Sequence, residues 1–153
     1  MRIALLTLAL AVAVPLAAQT PNLPTPAVSK YGPVTVEYYY RIKWGQHAEF
    51  KRLYKKNHEP ILIEMQKRGF ITAMKIEEPL THLAGDVRWD LRVTITYRDG
   101  TTAVGDEPGG WYETSEAIEK KLYLDEKAHK AEEARRMGLL EEHWDVIVYP
   151  VED

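Results

Sequence analysis

Between Val34 and Trp44 the chain alternates. Val34, Val36, Tyr38, Tyr40, Ile42 and Trp44 share one parity, and Thr35, Glu37, Tyr39, Arg41 and Lys43 share the other. A period of two in β-branched and aromatic residues predicts a strand with one apolar and one polar face. Gly45 ends it, and the period then changes. At about 100° per residue, His47, Phe50, Tyr54, His58, Ile61, Leu62 and Met65 form one stripe of an amphipathic helix running from Gln46 to Arg68. Pro60 lacks an N–H and clashes with the preceding turn. The pattern therefore predicts either a kink there or a second short helix capped by Asn57. Arg68 and Gly69 supply a basic last turn and a stop.

Two further strands follow. The first is Phe70 to Glu77, with Thr72, Met74 and Ile76 on one parity. The second is Trp89 to Tyr97, with Trp89, Leu91, Val93, Ile95 and Tyr97 on one face. Asp99-Gly100 signals a tight turn, after which Thr101 to Val104 can pair back. Past the loop Gly105 to Gly110, Ser115 is placed to cap a helix that bends near Leu124 and ends about Met137, with Gly138 at the stop position. Trp144 to Tyr149 closes the chain as a strand whose apolar side is Trp144, Val146 and Val148.

The order β-α-β-β-α-β predicts an α+β, ferredoxin-like fold: a four-stranded antiparallel sheet with helices on one face. The usual order of that fold, 4-1-3-2, puts the two most strongly alternating strands in the centre. Its second face would carry Glu37, Tyr39, Arg41, Lys43, Lys75, Arg92, Thr94, Thr96 and Asp145. That face either meets water or packs on the same face of a second copy.

The first segment has a different character. Arg2 precedes an apolar run from Ile3 to Val14, then Pro15 and Leu16-Ala17-Ala18-Gln19. A basic start, a short apolar stretch and a small-residue end describe a secretory signal cleaved near Ala18. The run is shorter than the roughly 20 residues of a spanning helix, so no stable membrane span is expected after cleavage. Residues 19–33 carry Pro21, Pro24, Pro26 and Pro33 and read as an extended leader. The domain occupies 34–153. An exported, periplasmic or secreted location is the expectation.

Composition narrows the chemistry. The 153 residues suffice for one domain. A net charge of −3 from 20 basic and 23 acidic residues argues against a nucleic-acid partner. The chain has no cysteine, which removes disulfides, thiolate nucleophiles and Cys-based metal sites. No two histidines stand at the i, i+4 spacing of a helical zinc site, so no metal is expected, and GDEPGG is no phosphate cradle.

The chain resembles the dimeric α/β-barrel superfamily, which includes antibiotic-biosynthesis monooxygenases, EthD-like and NIPSNAP-like proteins, muconolactone isomerases and chlorite-dismutase-like haem proteins. The element order carries the resemblance, with YYYRIKWGQHAEFKRLYKKNHEP leading from strand into helix and HWDVIVYPV as closing strand. It implies a homodimer formed by sheet packing and a ligand pocket between sheet and helices. The activities are diverse, so fold does not give function.

By helical phase His58 points to the sheet, with Tyr54 one turn before it. Tyr38, Tyr40, Trp89 and Tyr97 share the apolar sheet parity. A histidine among tyrosines in a semi-apolar cleft can act as general base or ligate a haem iron, and it can equally be a core residue bonded to a tyrosine hydroxyl. His58 is thus the candidate catalytic residue, with Tyr38, Tyr40, Tyr54, Trp89 and Tyr97 as candidate substrate-binding residues. No cofactor is required, haem being the minor alternative. Arg41 and Arg92 on the other face can hold a carboxylate or pair charges across a dimer. His82 falls in a loop, and His129 is expected at the surface. Two functions remain open. One is a cofactor-independent oxygenase or isomerase for a flat, partly apolar small molecule. The other is a non-catalytic ligand-binding or structural dimer of the envelope.

Overall fold

The computed structural model describes residues 32–81, 83–104 and 109–148. The segment read as an export signal, most of the proline-rich leader, His82 and residues 105–108 lie outside these. Strand β1 (Val34–Ile42) pairs antiparallel with β3 (Leu91–Tyr97), Val34 opposite Tyr97 and Tyr40 opposite Leu91. Strand β2 (Ile71–Glu77) flanks β3, and β4 (Leu140–Val148) flanks β1, giving the order β2-β3-β1-β4. This is the ferredoxin-like arrangement. Val34, Val36, Tyr40 and Ile42 of β1 and Leu91, Val93, Ile95 and Tyr97 of β3 are buried beneath the helices. Trp44 falls beyond β1 and is 73% exposed, its ring 4.5 Å from the Arg88 guanidinium, so the alternation stops at Ile42.

Two strands depart from the simple alternation. In β2 the register shifts between Ile71 and Ala73, leaving Thr72 as an extra residue. The bulge turns Ile71 to the inner face together with Met74 and Ile76, although their spacing differs in parity. In β4 the expected faces are reversed. Trp144 pairs with Tyr39 and Val146 with Glu37 on the open face, while His143 and Asp145 lie opposite Tyr40 and Tyr38 on the inner face. Alternation specifies two faces but not which one meets the core; pairing with β1 decides it.

The long helix runs through Pro60 without a break. It consists of α1 (His47–Leu53), a π-helical turn (Tyr54–His58) and α2 (Glu59–Lys67). Asn57 caps nothing; its side chain is buried and donates to Glu132 Oε2 at 2.9 Å. Pro60 sits in the first turn of α2, where a missing N–H costs least. The Glu59 N–H reaches back to the Tyr54 carbonyl, the i→i−5 bond of a π turn. Freed carbonyls find other donors: the Tyr123 hydroxyl donates to Lys56 O at 2.9 Å and Asn57 O at 3.0 Å. At the other end, Gly69 (φ 79°) takes the left-handed conformation, and the Phe70 N–H donates to Met65 O at 3.1 Å.

The second helical region is broken more than expected. Asp99 does not turn a hairpin. Its Oδ1 accepts the Thr102 N–H at 2.7 Å and starts the short α3 (Gly100–Val104). Helix α4 (Trp111–Leu122) begins at Trp111 rather than at Ser115. Asp125 caps α5 (Glu126–Gly138) by accepting the Ala128 N–H at 2.9 Å. Gly138 ends as a helical residue, and β4 follows almost at once. Among the described residues no helix is long and apolar enough to cross a membrane.

Candidate functional site

A cavity of about 280 Å³ lies between the inner face of the sheet and the helices. Its floor is β1 and β3, through Tyr38, Tyr40, Val93, Ile95 and Tyr97. The π turn supplies Tyr54 and His58, and α4 and α5 supply Trp111 and Arg136. His143, on the exposed edge strand β4, stands at one side. Of the residues singled out by pattern, His58, Tyr38, Tyr40, Tyr54 and Tyr97 therefore meet around one space. Trp89 does not. It precedes β3 rather than belonging to it, and it packs edge-on against Tyr39 on the opposite face at 6.0 Å.

The tyrosines are hydrogen-bond donors here, not bases. Burial raises the pKa of Tyr40 to about 12 and pushes those of Tyr38, Tyr54 and Tyr97 above the ordinary phenol value. The Tyr38 and Tyr97 hydroxyls lie 2.6 Å apart. One proton holds the pair together, which leaves the other hydroxyl proton to donate elsewhere. Trp111 closes this end, edge-on to Tyr97 at 5.1 Å.

His58 is held neutral. Burial, and then the positive charge of Arg136, lower its pKa to about 4. Its Nδ1 is 3.9 Å from Glu133 Oε2, beyond hydrogen-bond range, and its ring tilts over Tyr54 at 5.2 Å. His58 also borders a second cavity of about 300 Å³, reached between α2, α4 and α5 and lined by Glu119, His129 and Glu133. His129 is buried there, not at the surface. It stacks on Tyr123 at 3.9 Å, with Nδ1 3.1 Å from Glu119 Oε1 and Nε2 3.3 Å from Asn57 O. Proximity of α5 to the π turn buries it, a contact that no local pattern announces.

Four lining residues are not singled out by the sequence pattern: Trp111, Arg136, Met137 and His143. Arg136 reads locally as a basic last-turn residue facing the helix dipole, but it turns inward and is 5% exposed. Glu133 accepts from its Nε at 3.0 Å and its Nη2 at 2.7 Å. Its Nη1 has no acceptor among the described residues, and neither has the Tyr54 hydroxyl a partner. A buried polar group left without a partner costs about 1–3 kcal/mol.

The opposite sheet face holds its charges internally. Arg92 donates to Glu77 Oε2 at 2.7 Å, and Arg41 lies 2.9 Å from Glu142 Oε2. The arginines that could have held a ligand carboxylate are occupied by the protein's own. Among the described residues no three His, Asp or Glu side chains gather as a metal site. The inner cavity does not suit haem. At about 280 Å³ it lies below the range of about 300–1,000 Å³ for drug-sized ligands, and the macrocycle is larger still.

No protein-family model matches the sequence, and no curated protein matches it. Solved structures are similar in fold. A NIPSNAP family protein from Agrobacterium tumefaciens is 16% identical, with 81% of this chain and 90% of that chain covered at a TM-score of 0.43. A NIPSNAP domain protein from Burkholderia xenovorans is 18% identical, with 78% and 94% covered and a TM-score of 0.40. An EthD family protein from Bacillus halodurans is 17% identical, with 78% and 99% covered and a TM-score of 0.43.

Proposed function

We propose that this chain binds a flat, partly apolar small molecule in the inner cavity and moves a proton on it with His58. The observation that carries the reading is the convergence of a neutral histidine and four tyrosines on one cavity. His58 takes a proton from an acidic C–H of the ligand. That C–H adjoins a carbonyl of the ligand, so the electron pair of the broken bond forms a C=C bond while the C=O π pair moves onto the carbonyl oxygen, which the outward proton of the Tyr38–Tyr97 pair hydrogen-bonds. Return of the proton to another carbon is isomerisation; transfer of the electrons to O₂ is the cofactor-independent oxygenase alternative. Export rests on the signal pattern before Gln19, and a homodimer rests on the open sheet face. In the absence of cysteine, a second copy would supply stabilisation that a disulfide cannot.

One observation favours a second reading, binding without chemistry. A histidine titrating at about 4 is a weak base near neutral pH. Deuterium exchange at the α-carbon of 2-tetralone, followed by NMR in D₂O, separates the two. The wild type is expected to accelerate exchange, and His58→Gln to lose about 10²–10⁴ of that acceleration while still binding the ketone. Binding with no acceleration leaves a ligand-binding protein. No binding, or acceleration equal in the variant, overturns the role of His58.

A further inference from the structure

We infer that the inner cavity selects an organic anion, and that Arg136 Nη1 and the Tyr54 hydroxyl hold its carboxylate. This rests on the ligand-binding reading above and names the chemistry of the ligand. Both groups are buried, Tyr54 at 1% and Arg136 at 5% exposure, and both line the same cavity. Both lack a partner among the described residues. Arg88 Nε and Thr102 Oγ1 also lack a hydrogen-bond partner among the described residues, but Arg88 and Thr102 do not line this cavity. The two side chains are also neighbours, the Arg136 guanidinium carbon lying over the Tyr54 ring, 5.6 Å from its centre.

The guanidinium is set for this purpose by its other bonds. Glu133 accepts from Nε and Nη2 and fixes the guanidinium plane, while Nη1 lies just beneath the cavity wall and meets an acceptor once the side chains over it part. The carboxylate of Glu133 offsets part of the positive charge, as it must in a buried pair. The charge of Arg136 is nevertheless felt across the cavity. After burial it is among the causes that lower His58, and it also acts on Tyr40, Tyr54 and His143. The negative groups nearby are Glu133, Glu59 towards Tyr54 and Asp145 towards His143. None accepts from Nη1. An incoming carboxylate would meet two donors that now have nothing to donate to, above an apolar floor of Val93 and Ile95 that takes a flat body.

The test compares 2-naphthoate with its neutral isostere 2-naphthamide by calorimetric titration of the full chain. The carboxylate is expected to bind at least tenfold more tightly than the amide. Tyr54→Phe and Arg136→Met are each expected to reduce that ratio towards one. Tyr54→Phe removes a hydroxyl that has no partner, so its thermal midpoint is expected to match or exceed that of the wild type. This variant decides the matter if Arg136→Met fails to fold. Equal affinity for the two probes, or a preference untouched by Tyr54→Phe, overturns the anion assignment and leaves the cavity as a neutral-ligand site. No saturable binding of either probe overturns the ligand-binding reading as well.

Discussion

His58 is the residue whose environment departs furthest from what its neighbours in sequence suggest. On an isolated helix it would titrate near 6.5, but here burial and Arg136 hold it at about 4. Between those values the unfolded chain binds a proton that the folded chain refuses. The stabilisation from neutral His58 is therefore complete above about pH 6.5 and is lost as pH falls towards 4. A third of the side chain still reaches solvent (34%), which limits the effect to the order of 1 kcal/mol. Thermal midpoints measured from pH 7 to pH 4 should fall less steeply in His58→Gln than in the wild type. Parallel curves would show that the imidazole is not held neutral. His58 was legible as a candidate because its phase on the helix matched the strand parity of the tyrosines. Arg136 was not legible. A basic residue in a last turn is normally a surface feature, and only the packing of α5 across the π turn turns it inward.

The π turn is the element that sets the geometry of the site. Pro60 cannot donate to the carbonyl of Lys56, and an uninterrupted α-helix would leave that oxygen unmet. The turn redistributes the bonds, and Tyr123, at the break between α4 and α5, supplies its hydroxyl to the carbonyls of both Lys56 and Asn57. Tyr123→Phe is therefore expected to destabilise the fold by about 1–2 kcal/mol in urea titrations with an unchanged slope. A change below about 0.5 kcal/mol would mean that water satisfies those oxygens. The sequence showed the conflict at Pro60 but offered only a kink or a new cap. The resolution needs donors more than 60 residues away, which no local pattern contains. The β2 bulge and the reversed faces of β4 have the same origin, since pairing partners rather than alternation choose the face.

Among the described residues, one face of the sheet is covered by the helices and the other is open. On that open face Tyr39 stacks on Trp144 with ring centres 5.3 Å apart, and Val146 is 43% exposed beside them. Its arginines are already paired within the chain. What remains for a second copy is thus more apolar than the expected face of charges, because Trp144 and Val146 moved to it. If the chain dimerises through this face as proposed, light scattering at micromolar concentration will give twice the chain mass. Trp144→Glu would then give a monomer with unchanged far-ultraviolet circular dichroism. A wild-type monomer under those conditions would overturn the dimer.

Periodicity alone was sufficient for the β-α-β-β-α-β order and for the meeting of His58 with four tyrosines, whereas the central position of β1 and β3 followed from the usual strand order of that fold. Each of these follows from repeats of two or about 3.6 residues that persist over a whole element, and burial of one face is the strongest force acting on such repeats. Tertiary packing decided the rest: which side of β4 faces inward, how the helix passes Pro60, and the inward turn of Arg136 and His129. These depend on partners distant in sequence, and the free energy that selects them comes from satisfying buried polar groups. Trp89 marks the boundary between the two. Its parity pointed inward, but the strand begins at Leu91, and two residues outside a strand its side chain no longer obeys the alternation.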